Sequence, residues 1–286
     1  MINMDGKRII TIVLTFLMMV SVVIPGILQA EDIDIQENDY IVRAPIRIDG
    51  NSDFAAQAAD EGWPGDGSDG DPYVIEGYEI DGTGYGYGIY VGNTSVHFVV
   101  RNCYIHNVTG KDGTQEQNTG IYLYKVQNGG FEDNILYNKF GFVLRHSENN
   151  LIHNNTITSV YGSSVHLWYS DYNTISNNYI FNSRDEPSFA GNRLSSSEHN
   201  IIAYNHISGF KYGIFVSYHD TYGVNEYRNN TFVDVEIEID EGLSIENNNN
   251  SNSLELGHIV IMILVGSISV VILAVIVKNK KTEKGE

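Results

Sequence analysis

One internal repeat between Gly88 and Phe232 constrains the fold of this chain more than any other feature. Each copy reads G-I-x-V or a close variant, then a polar turn, then an Asn-rich stretch that ends in N-x-I. The copies lie 21 to 31 residues apart, a period typical of solenoids. Alignment of the copies gives one asparagine column, which contains Asn134, Asn155, Asn178, Asn205 and Asn230. Cys103 occupies this column one copy earlier, and Tyr78 one copy before that.

Further columns support this alignment. A second asparagine column contains Asn150, Asn173, Asn200 and Asn225. Two aliphatic or aromatic columns flank the first asparagine column, at Ile75, Val100, Phe131, Ile152, Ile175, Ile202 and Tyr227, and at Ile80, Ile105, Leu136, Ile157, Ile180, Ile207 and Phe232. Apolar residues at fixed places let stacked coils share one core, and stacked amides can hydrogen-bond to one another. Because helical periodicity is missing, we predict an all-β parallel β-helix of about seven to eight coils.

Both ends of the predicted β-helix carry their own signals. Residues 51–60 read as a short amphipathic helix with Ser52 or Asp53 at its N-cap, placed to cover the open end of the first coil. Residues 233–240 alternate apolar and acidic side chains without interruption. This alternation predicts one half-buried strand as the last rung.

Apolar segments outside the repeat predict export and anchoring. Residues 1–30 resemble a secretory signal peptide, with an uncleaved N-terminal anchor as the alternative. Residues 257–277 are apolar and long enough to cross a membrane as a helix. The basic tail at 278–286 should stay in the cytoplasm. We therefore predict a single-pass cell-membrane protein with residues 31–240 outside, joined by a polar stalk at 241–256.

Charge and cysteine content limit the partners and the stabilising chemistry. The formal net charge is -19, and residues 31–256 carry 33 acidic against 11 basic residues. Such a surface repels nucleic acid and anionic lipid. A single cysteine excludes an intrachain disulfide. Glycosylation sequons begin at Asn93, Asn107, Asn154, Asn229 and Asn249.

The G-I-x-V strands define the surface most relevant to function. If Ile89, Val91 and their counterparts point inward, the alternate residues face outward and stack coil upon coil. The predicted ligand-binding residues are Tyr90, Tyr122, Tyr124, Arg145, His166, Trp168, Arg193 and Phe215. Aromatic rings with a few planar donors suit sugar rings and polysaccharide acids. The alternative is that aromatic residues are there only because they favour strands.

Two other groups of residues are candidates for site chemistry. Asp66, Asp69 and Asp71 lie close enough in sequence to chelate Ca²⁺, although their spacing is not that of an EF-hand and a purely structural loop is the alternative. Arg145, His146 and His166 are candidate catalytic residues, since they lie in neighbouring coils and histidines can act as bases. Scattered solvated histidines are the alternative interpretation.

Several sequence segments carry a family resemblance. I-Y-V-G-N-T (89–94), H-F-V-V-R-N-C-Y-I-H-N (97–107) and the N-N-T-I and N-N-Y-I copies resemble the right-handed parallel β-helix repeat family. The segment 63–82 resembles the opening coil of membrane-anchored prokaryotic surface members, many of them archaeal. The resemblance covers about residues 40–240 and implies a right-handed β-helix. The broader group includes NosD-type copper-associated proteins, pectate lyases, polygalacturonases and alginate epimerases.

The enzymatic branches of that group have motifs that this chain lacks. There is no G-H-G with a later R-I-K and no D-P-H, the nearest string being D-E-P at 185–187. Copper ligands of the NosD type are also missing from the sequence. We therefore expect a cell-surface protein that binds polysaccharide or another envelope component without catalysis. A polysaccharide lyase or hydrolase is the alternative, and Ca²⁺ is a possible cofactor.

Overall fold

The computed structural model describes residues 40–110, 118–159, 162–184, 186–217 and 224–242. The predicted signal peptide, stalk, membrane segment and cytoplasmic tail lie outside these residues, as does the sequon at Asn249. No helix within the described part of the chain has the length and apolarity needed to cross a bilayer. What the structure describes is a right-handed parallel β-helix with one helix at its start, which confirms the all-β solenoid.

Three parallel sheets form the walls of this β-helix. Sheet 1 has eight strands, β1 (Ile41–Arg43), β4 (Tyr78–Thr83), β7 (Tyr104–Thr109), β10 (Ile135–Asn138), β13 (Thr156–Ser159), β16 (Tyr179–Asn182), β19 (His206–Ser208) and β22 (Thr231–Val233). Sheet 2 also has eight, β2 (Ile46–Asp49), β5 (Tyr87–Thr94), β8 (Thr119–Val126), β11 (Phe140–Arg145), β14 (Ser163–Trp168), β17 (Ser188–Ser195), β20 (Phe210–Ser217) and β23 (Ile237–Asp240).

Sheet 3 closes the cross-section. It has seven strands, β3 (Tyr73–Glu76), β6 (Phe98–Arg101), β9 (Gly129–Glu132), β12 (Leu151–His153), β15 (Thr174–Ser176), β18 (Ile201–Ala203) and β21 (Glu226–Arg228). Consecutive strands belong to different sheets, and each strand pairs in parallel with the strand three places later, for example β11 with β14. One turn of the chain therefore visits all three sheets, and equivalent residues of successive coils stack.

The interior contains the apolar columns that the repeat predicts. Ile152, Ile175 and Ile202 lie opposite one another in sheet 3 and are fully buried. Ile157, Ile180 and Ile207 do the same in sheet 1. Each such side chain contributes about 1.5–3 kcal/mol through burial, so the stacked core is the main source of stability.

The first asparagine column forms a continuous hydrogen-bond ladder. Asn155 Nδ2 donates to Asn178 Oδ1 at 3.0 Å, and the Asn155 backbone N–H donates to the same oxygen at 2.9 Å. Asn155 Nδ2 also donates to the carbonyl of Phe131 in the preceding coil. The pattern starts where the Cys103 N–H donates to Asn134 Oδ1. Cys103 is fully buried, and burial raises the pKa of its thiol to about 11, so it is an unreactive core residue.

Two more ladders run parallel to the first. The second predicted column is confirmed, since Asn150, Asn173 and Asn200 each donate to the asparagine one coil later. A third ladder of Ser147, Ser170 and Ser197 was missed by the sequence analysis. The Ser147 N–H donates to Ser170 Oγ, and the Ser170 N–H donates to Ser197 Oγ. Buried backbone N–H groups at the corners are thus satisfied by side chains of the next coil.

The glycine of G-I-x-V marks the corner between sheets 1 and 2. A Cβ at Gly141 would lie 2.3 Å from Ile157 Cγ2, and one at Gly191 would lie 2.5 Å from Ile207 Cγ2. In one coil Ser164 replaces this glycine. Its hydroxyl is accommodated by a hydrogen bond of 2.6 Å between Ser164 Oγ and Ser159 Oγ. Close approach of the two sheets explains this part of the repeat.

Corner residues adopt the left-handed conformation in nearly every coil. In each coil of the first ladder, the residue that directly precedes the ladder residue has positive φ. These residues are Asn102, Asp133, Asn154, Asn177, Tyr204 and Asn229. Asn and Asp tolerate this conformation best, which explains most of these positions. The described sequon asparagines Asn93, Asn107, Asn154 and Asn229 all have positive φ and are exposed. Their backbone geometry alone accounts for asparagine there, so glycosylation remains a prediction.

A helix closes the first coil, as predicted, but its cap differs. The helix α1 (Asn51–Glu61) begins after Gly50, whose φ of 109° suits glycine, and no side chain caps it. Ser52 and Asp53 are therefore not the N-cap. Asp53 lies in the first turn, and its carboxylate accepts a hydrogen bond from the Asp49 N–H at 2.7 Å. Phe54 is fully buried and stacks on Tyr73 at 5.1 Å, which seals the core.

The last rung also differs from the prediction. Residues 233–240 do not form one strand, because Asp234 has a φ of 51° and turns the chain between β22 and β23. Val233 therefore ends a strand of sheet 1, whereas Ile237–Asp240 pairs with β20 in sheet 2. Alternation of residue types continues across a corner here, so the pattern could not reveal the break.

We predict that Asn178→Ala costs more stability than Asn230→Ala, although both remove one ladder amide. Asn178 is buried, so its loss leaves the buried Asn155 N–H without its acceptor and removes one hydrogen bond each from Asn155 Nδ2 and the Ile152 carbonyl, at a cost of roughly 3 kcal/mol. Asn230 is half-buried, and water can replace it for about 1 kcal/mol. Urea-unfolding midpoints measure the difference; equal losses would contradict this account of the ladder.

Candidate ligand-binding face on sheet 2

The outer face of sheet 2 presents two columns of side chains. The first column contains Arg47, Tyr90, Tyr122, Val143, His166, Arg193, Phe215 and Asp240, each opposite the next. The second column contains Asp49, Gly92, Tyr124, Arg145, Trp168, Ser195 and Ser217. All eight residues predicted to bind ligand therefore lie on one face. They do not share one environment.

Half of the first column is buried rather than exposed. Tyr90 and Tyr122 are only 5% and 2% exposed, and they form a cluster with Val143 against which Tyr87, Tyr124 and Phe140 pack. The Tyr90 and Tyr122 rings stack at 5.7 Å, and the Arg47 guanidinium carbon lies 3.8 Å from the Tyr90 ring centroid. Tyr90, Tyr122 and His166 were expected as surface contacts. Instead all three are buried: Tyr90 and Tyr122 form a small external core with Val143, and His166 lies buried next to Val143 in the same column.

Three large residues of the second column stay partly accessible. Tyr124, Arg145 and Trp168 lie directly opposite one another in β8, β11 and β14, and each is half-buried. The Arg145 guanidinium carbon lies 4.8 Å from the Trp168 ring centroid, a cation–π contact that holds both side chains. Ring and guanidinium planes therefore alternate along this column.

The accessible face extends around the corner at the ends of these strands. His146 and Tyr169 directly follow Arg145 and Trp168 and have φ values of 51° and 49°. Their rings stack at 5.2 Å with an interplanar angle of 7°, and Tyr169 is 51% exposed. Large residues in the left-handed region cost about 1 kcal/mol or more each, and such strain concentrates at functional sites. We call Tyr124, Arg145, His146, Trp168 and Tyr169 the aromatic ledge.

Sequence reasoning missed Tyr169 and did not count His146 as a contact. The available signal was positional: each follows a strand end at the corner where an earlier coil has Asn93, also with positive φ. The equivalent residues of other coils, Lys125 and Ser196, also have positive φ, so the residue type at this position varies from coil to coil. Next to the ledge, a groove of about 450 Å³ is lined by Asn51, Asn93, Thr94, Ser95, Lys125, Gln127 and His146.

The two candidate catalytic histidines do not form a pair. His166 lies in the first column, opposite Val143, whereas His146 lies beyond the end of β11. His166 Nε2 lies 3.1 Å from Ser195 Oγ, and burial, together with the nearby Arg193, lowers its pKa to about 4. Burial and the charge of Arg145 also lower the pKa of His146. Both imidazoles are neutral near pH 7, and the buried His166 is a weak base.

Acidic residues are not gathered on this face. Asp49 lies in β2 and Asp240 in β23, the first and last strands of sheet 2, and therefore at opposite ends of the face. Asp171 accepts a hydrogen bond from the Glu198 N–H at a corner, and Asp185 lies outside the described residues. Between Asp49 and Asp240 the two outward columns contain no carboxylate, so the aromatic ledge itself lacks the pair of carboxylates that a glycoside hydrolase requires.

The candidate calcium loop does not assemble its three carboxylates. Asp66 Oδ1 accepts a hydrogen bond from the Ser68 N–H at 2.9 Å, and hydrogen bonding with first the side chain and then the backbone of Ser68 lowers the pKa of Asp66. Asp69 points elsewhere, with Oδ1 3.4 Å from His97 Nδ1. No group of three or more His, Cys, Asp or Glu residues in the described ranges is placed to hold a metal ion. The loop is held by its own hydrogen bonds.

The far end of the face has a separate aromatic group. The Arg193 guanidinium carbon lies 5.3 Å from the Phe189 ring centroid, and Phe189 packs edge-on against Phe215 at 4.9 Å. Arg193 and Phe215 are half-buried, so these two predicted residues remain available at the surface.

Comparisons with known proteins agree with this architecture. A family model described as "Right handed beta helix region" matches residues 74–258. Among solved structures, the chain is similar to a periplasmic alginate epimerase, with 17% identity and a TM-score of 0.41 over 58% of this chain and 50% of that chain. It is also similar to the A-module of an Azotobacter vinelandii mannuronan C-5 epimerase, with 14% identity and a TM-score of 0.42 over 63% and 64% of the two chains.

The chain spans less than two thirds of each of these epimerase chains. No curated protein sequence matches the chain.

We predict that His166 makes stability fall in mildly acidic solution. Its folded-state pKa of about 4 lies below the unfolded value near 6.5, so the unfolded chain binds the proton first as the pH falls. The contribution is fully present above pH 6.5 and is lost between 6.5 and 4, by at most about 3 kcal/mol. Unfolding of the native protein and of His166→Asn at pH 7.5 and 4.5 measures it; an equal pH dependence in both would refute the prediction.

Proposed function

We propose that this chain, which belongs to the family of right-handed β-helix proteins, binds carbohydrate through the aromatic ledge of sheet 2. The observation that carries the proposal is the direct alignment of Tyr124, Arg145 and Trp168 in three neighbouring strands. All three are held by packing yet remain partly accessible. A preorganised row of rings and a planar cation is suited to an extended chain of sugar rings.

Dimensions support a linear ligand that runs along the axis of the β-helix. Neighbouring parallel strands are about 4.8 Å apart, so the three residues extend over roughly 10 Å, comparable to a disaccharide. Ring faces and edges can contact the apolar sides of pyranose rings, and the guanidinium can donate to hydroxyl or carboxylate oxygens. The contacts at the corner, through His146 and Tyr169, widen the same surface.

Local charge supports both neutral and acidic sugars as ligands. The chain carries a formal net charge of -19, which disfavours polyanions over most of its surface. Lys125 and Arg145, however, lie at the ledge, with the Lys125 ammonium 5.2 Å from the Tyr124 ring centroid. An acidic polysaccharide would therefore be attracted here and repelled elsewhere, which would fix its position.

The binding proposal predicts that Trp168→Ala and Tyr124→Ala each weaken carbohydrate binding at least tenfold, a loss of about 1.4 kcal/mol. Isothermal titration with β-1,4-linked hexasaccharides of glucose and of mannuronate measures the affinity. Tyr179→Ala is the matched control, since Tyr179 is 45% exposed on sheet 1, away from the ledge. Equal affinities in all three variants, or no binding of either hexasaccharide, would refute the proposal.

We also propose that the β-helix is displayed outside a cell membrane. The apolar run 257–277 followed by Lys278, Lys280 and Lys281 supports a single crossing with the tail in the cytoplasm. The acidic, Asn-rich repeat suits an exposed location, where polysaccharide or other envelope components would be its partners.

The anchoring proposal predicts that a chain ending at residue 253 is released, whereas the full-length chain stays with membranes after alkaline extraction. The shorter chain keeps every described residue, so its β-helix should keep the same circular dichroism spectrum. Membrane retention of the shorter chain would contradict the anchor.

A further inference from the structure

A polar groove lies beside the aromatic ledge, on the side of the N-terminal coils. Its volume is about 450 Å³. The lining residues stand at or just after the ends of four successive strands of sheet 2, namely Asn51 after β2, Asn93, Thr94 and Ser95 at β5, Lys125 and Gln127 at β8, and His146 after β11. Neighbouring strands are about 4.8 Å apart, so the groove follows the axis of the β-helix for roughly 14 Å.

The groove and the ledge are continuous. His146 belongs to both, and its ring packs edge-on against Tyr124 at 6.2 Å and stacks on Tyr169 at 5.2 Å. Lys125 directly follows Tyr124, and its ammonium lies 5.2 Å from the centroid of that ring. A linear ligand that lies on the ledge and continues along the axis toward β2 therefore enters the groove.

Hydrogen bonds within the protein hold the amides of the groove in place. Asn51 Oδ1 accepts from Thr94 Oγ1 at 2.7 Å and from the Ser95 N–H at 3.0 Å. Gln127 Nε2 donates to Glu148 Oε1, and the Gln127 N–H donates to the Thr94 carbonyl at 3.1 Å. Asn51 Nδ2 and Gln127 Oε1 make no hydrogen bond to any described residue. A donor and an acceptor on fixed side chains are thus available to ligand hydroxyls.

One cation stands where the ledge meets the groove. Lys125 is exposed, and no carboxylate of the described residues pairs with it. The two nearby carboxylates have amide partners instead, since Asp49 accepts from Asn93 Nδ2 at 2.6 Å and Glu148 accepts from Gln127. The Lys125 ammonium can therefore donate to a carboxylate of the ligand.

We propose that this groove extends the carbohydrate site by about two sugar units, with Lys125 placed to bind the carboxylate of an acidic unit. Two coils lie beyond Tyr124 in this direction and provide roughly 10 Å, the length of a disaccharide. Amides and hydroxyls suit the hydroxyl rim of a pyranose, whereas an apolar ligand would leave them without partners. The inference rests on the proposed carbohydrate binding and adds the length and the charge of the ligand.

The affinity should depend on the length of the ligand, and filling the groove should remove that dependence. In the full-length chain, isothermal titration should show at least tenfold tighter binding of the β-1,4-linked mannuronate hexasaccharide than of the disaccharide. Ser95→Tyr places a ring in the groove from an exposed position. The hexasaccharide should then bind no more tightly than the disaccharide. Disaccharide affinity should change less than twofold, which controls for correct folding.

Lys125→Gln tests the charge. Binding of the mannuronate hexasaccharide should weaken about fivefold or more, and binding of the glucose hexasaccharide less than twofold. Lys211→Gln is the matched control, because Lys211 is also exposed and its ammonium lies 5.1 Å from the ring of its neighbour Tyr212. Lys211 belongs to β20, four strands away from β8 in sheet 2, so its substitution should alter neither affinity.

Equal affinities for the two ligand lengths in the native chain, or an unaltered hexasaccharide affinity in Ser95→Tyr, would overturn the extension of the site. Equal effects of Lys125→Gln on both hexasaccharides would overturn the role of Lys125. If Trp168→Ala still weakens binding in these cases, the carbohydrate proposal stands and the ligand is confined to the ledge. If Trp168→Ala has no effect either, both proposals fail.

Discussion

The whole structure depends on hydrogen bonds that link each coil to the next from inside. Where the ladders run, buried backbone N–H groups at the corners are bonded by side chains of the next coil and not by a strand partner. Asparagine suits this role because its amide both accepts and donates hydrogen bonds. Asn178 Oδ1 accepts from the Asn155 N–H and from Asn155 Nδ2, while Asn178 Nδ2 donates to the Ile152 carbonyl and to Asn205 Oδ1. This ladder links the coils from Cys103 to Asn230, and along these coils all three sheets keep their register.

Register in turn decides what the surface presents. When coils stack without offset, each outward residue meets its counterparts above and below, so like side chains accumulate in columns. In the first column of sheet 2 this concentrates large rings until Tyr90 and Tyr122 bury one another. In the second column, flanked by the corner, Tyr124, Arg145 and Trp168 keep an accessible side, and Ser195 then interrupts the row. The same stacking rule therefore produces an external core and a ledge side by side.

Much of this could be read from the residues, and the misses have physical reasons. The asparagine columns and the inward aliphatics were predictable, because their spacing repeats and their chemistry serves only the interior. The Ser147–Ser170–Ser197 ladder was not, since serine is common on any polar turn. The cap at Gly50 was missed because its conformation, and the hydrogen bond that draws Asp53 to the Asp49 N–H, depend on where β2 ends. Residues 233–240 keep their alternation through a corner, so only φ at Asp234 shows the break.

For the candidate site, too, some features were predictable from the sequence and others only from the structure. The sequence by itself determined the fold, the face on which the eight predicted residues lie and the alternation that points them outward, because these follow from local periodicity. Only the tertiary structure decided which of them a ligand can reach. Accessibility depends on neighbours such as Tyr87 and Phe140, which lie at the starts of β5 and β11 and pack against the buried cluster. The tertiary structure also places His146 and Tyr169 in the site, because the backbone turn that positions them is set by stacking against adjacent coils.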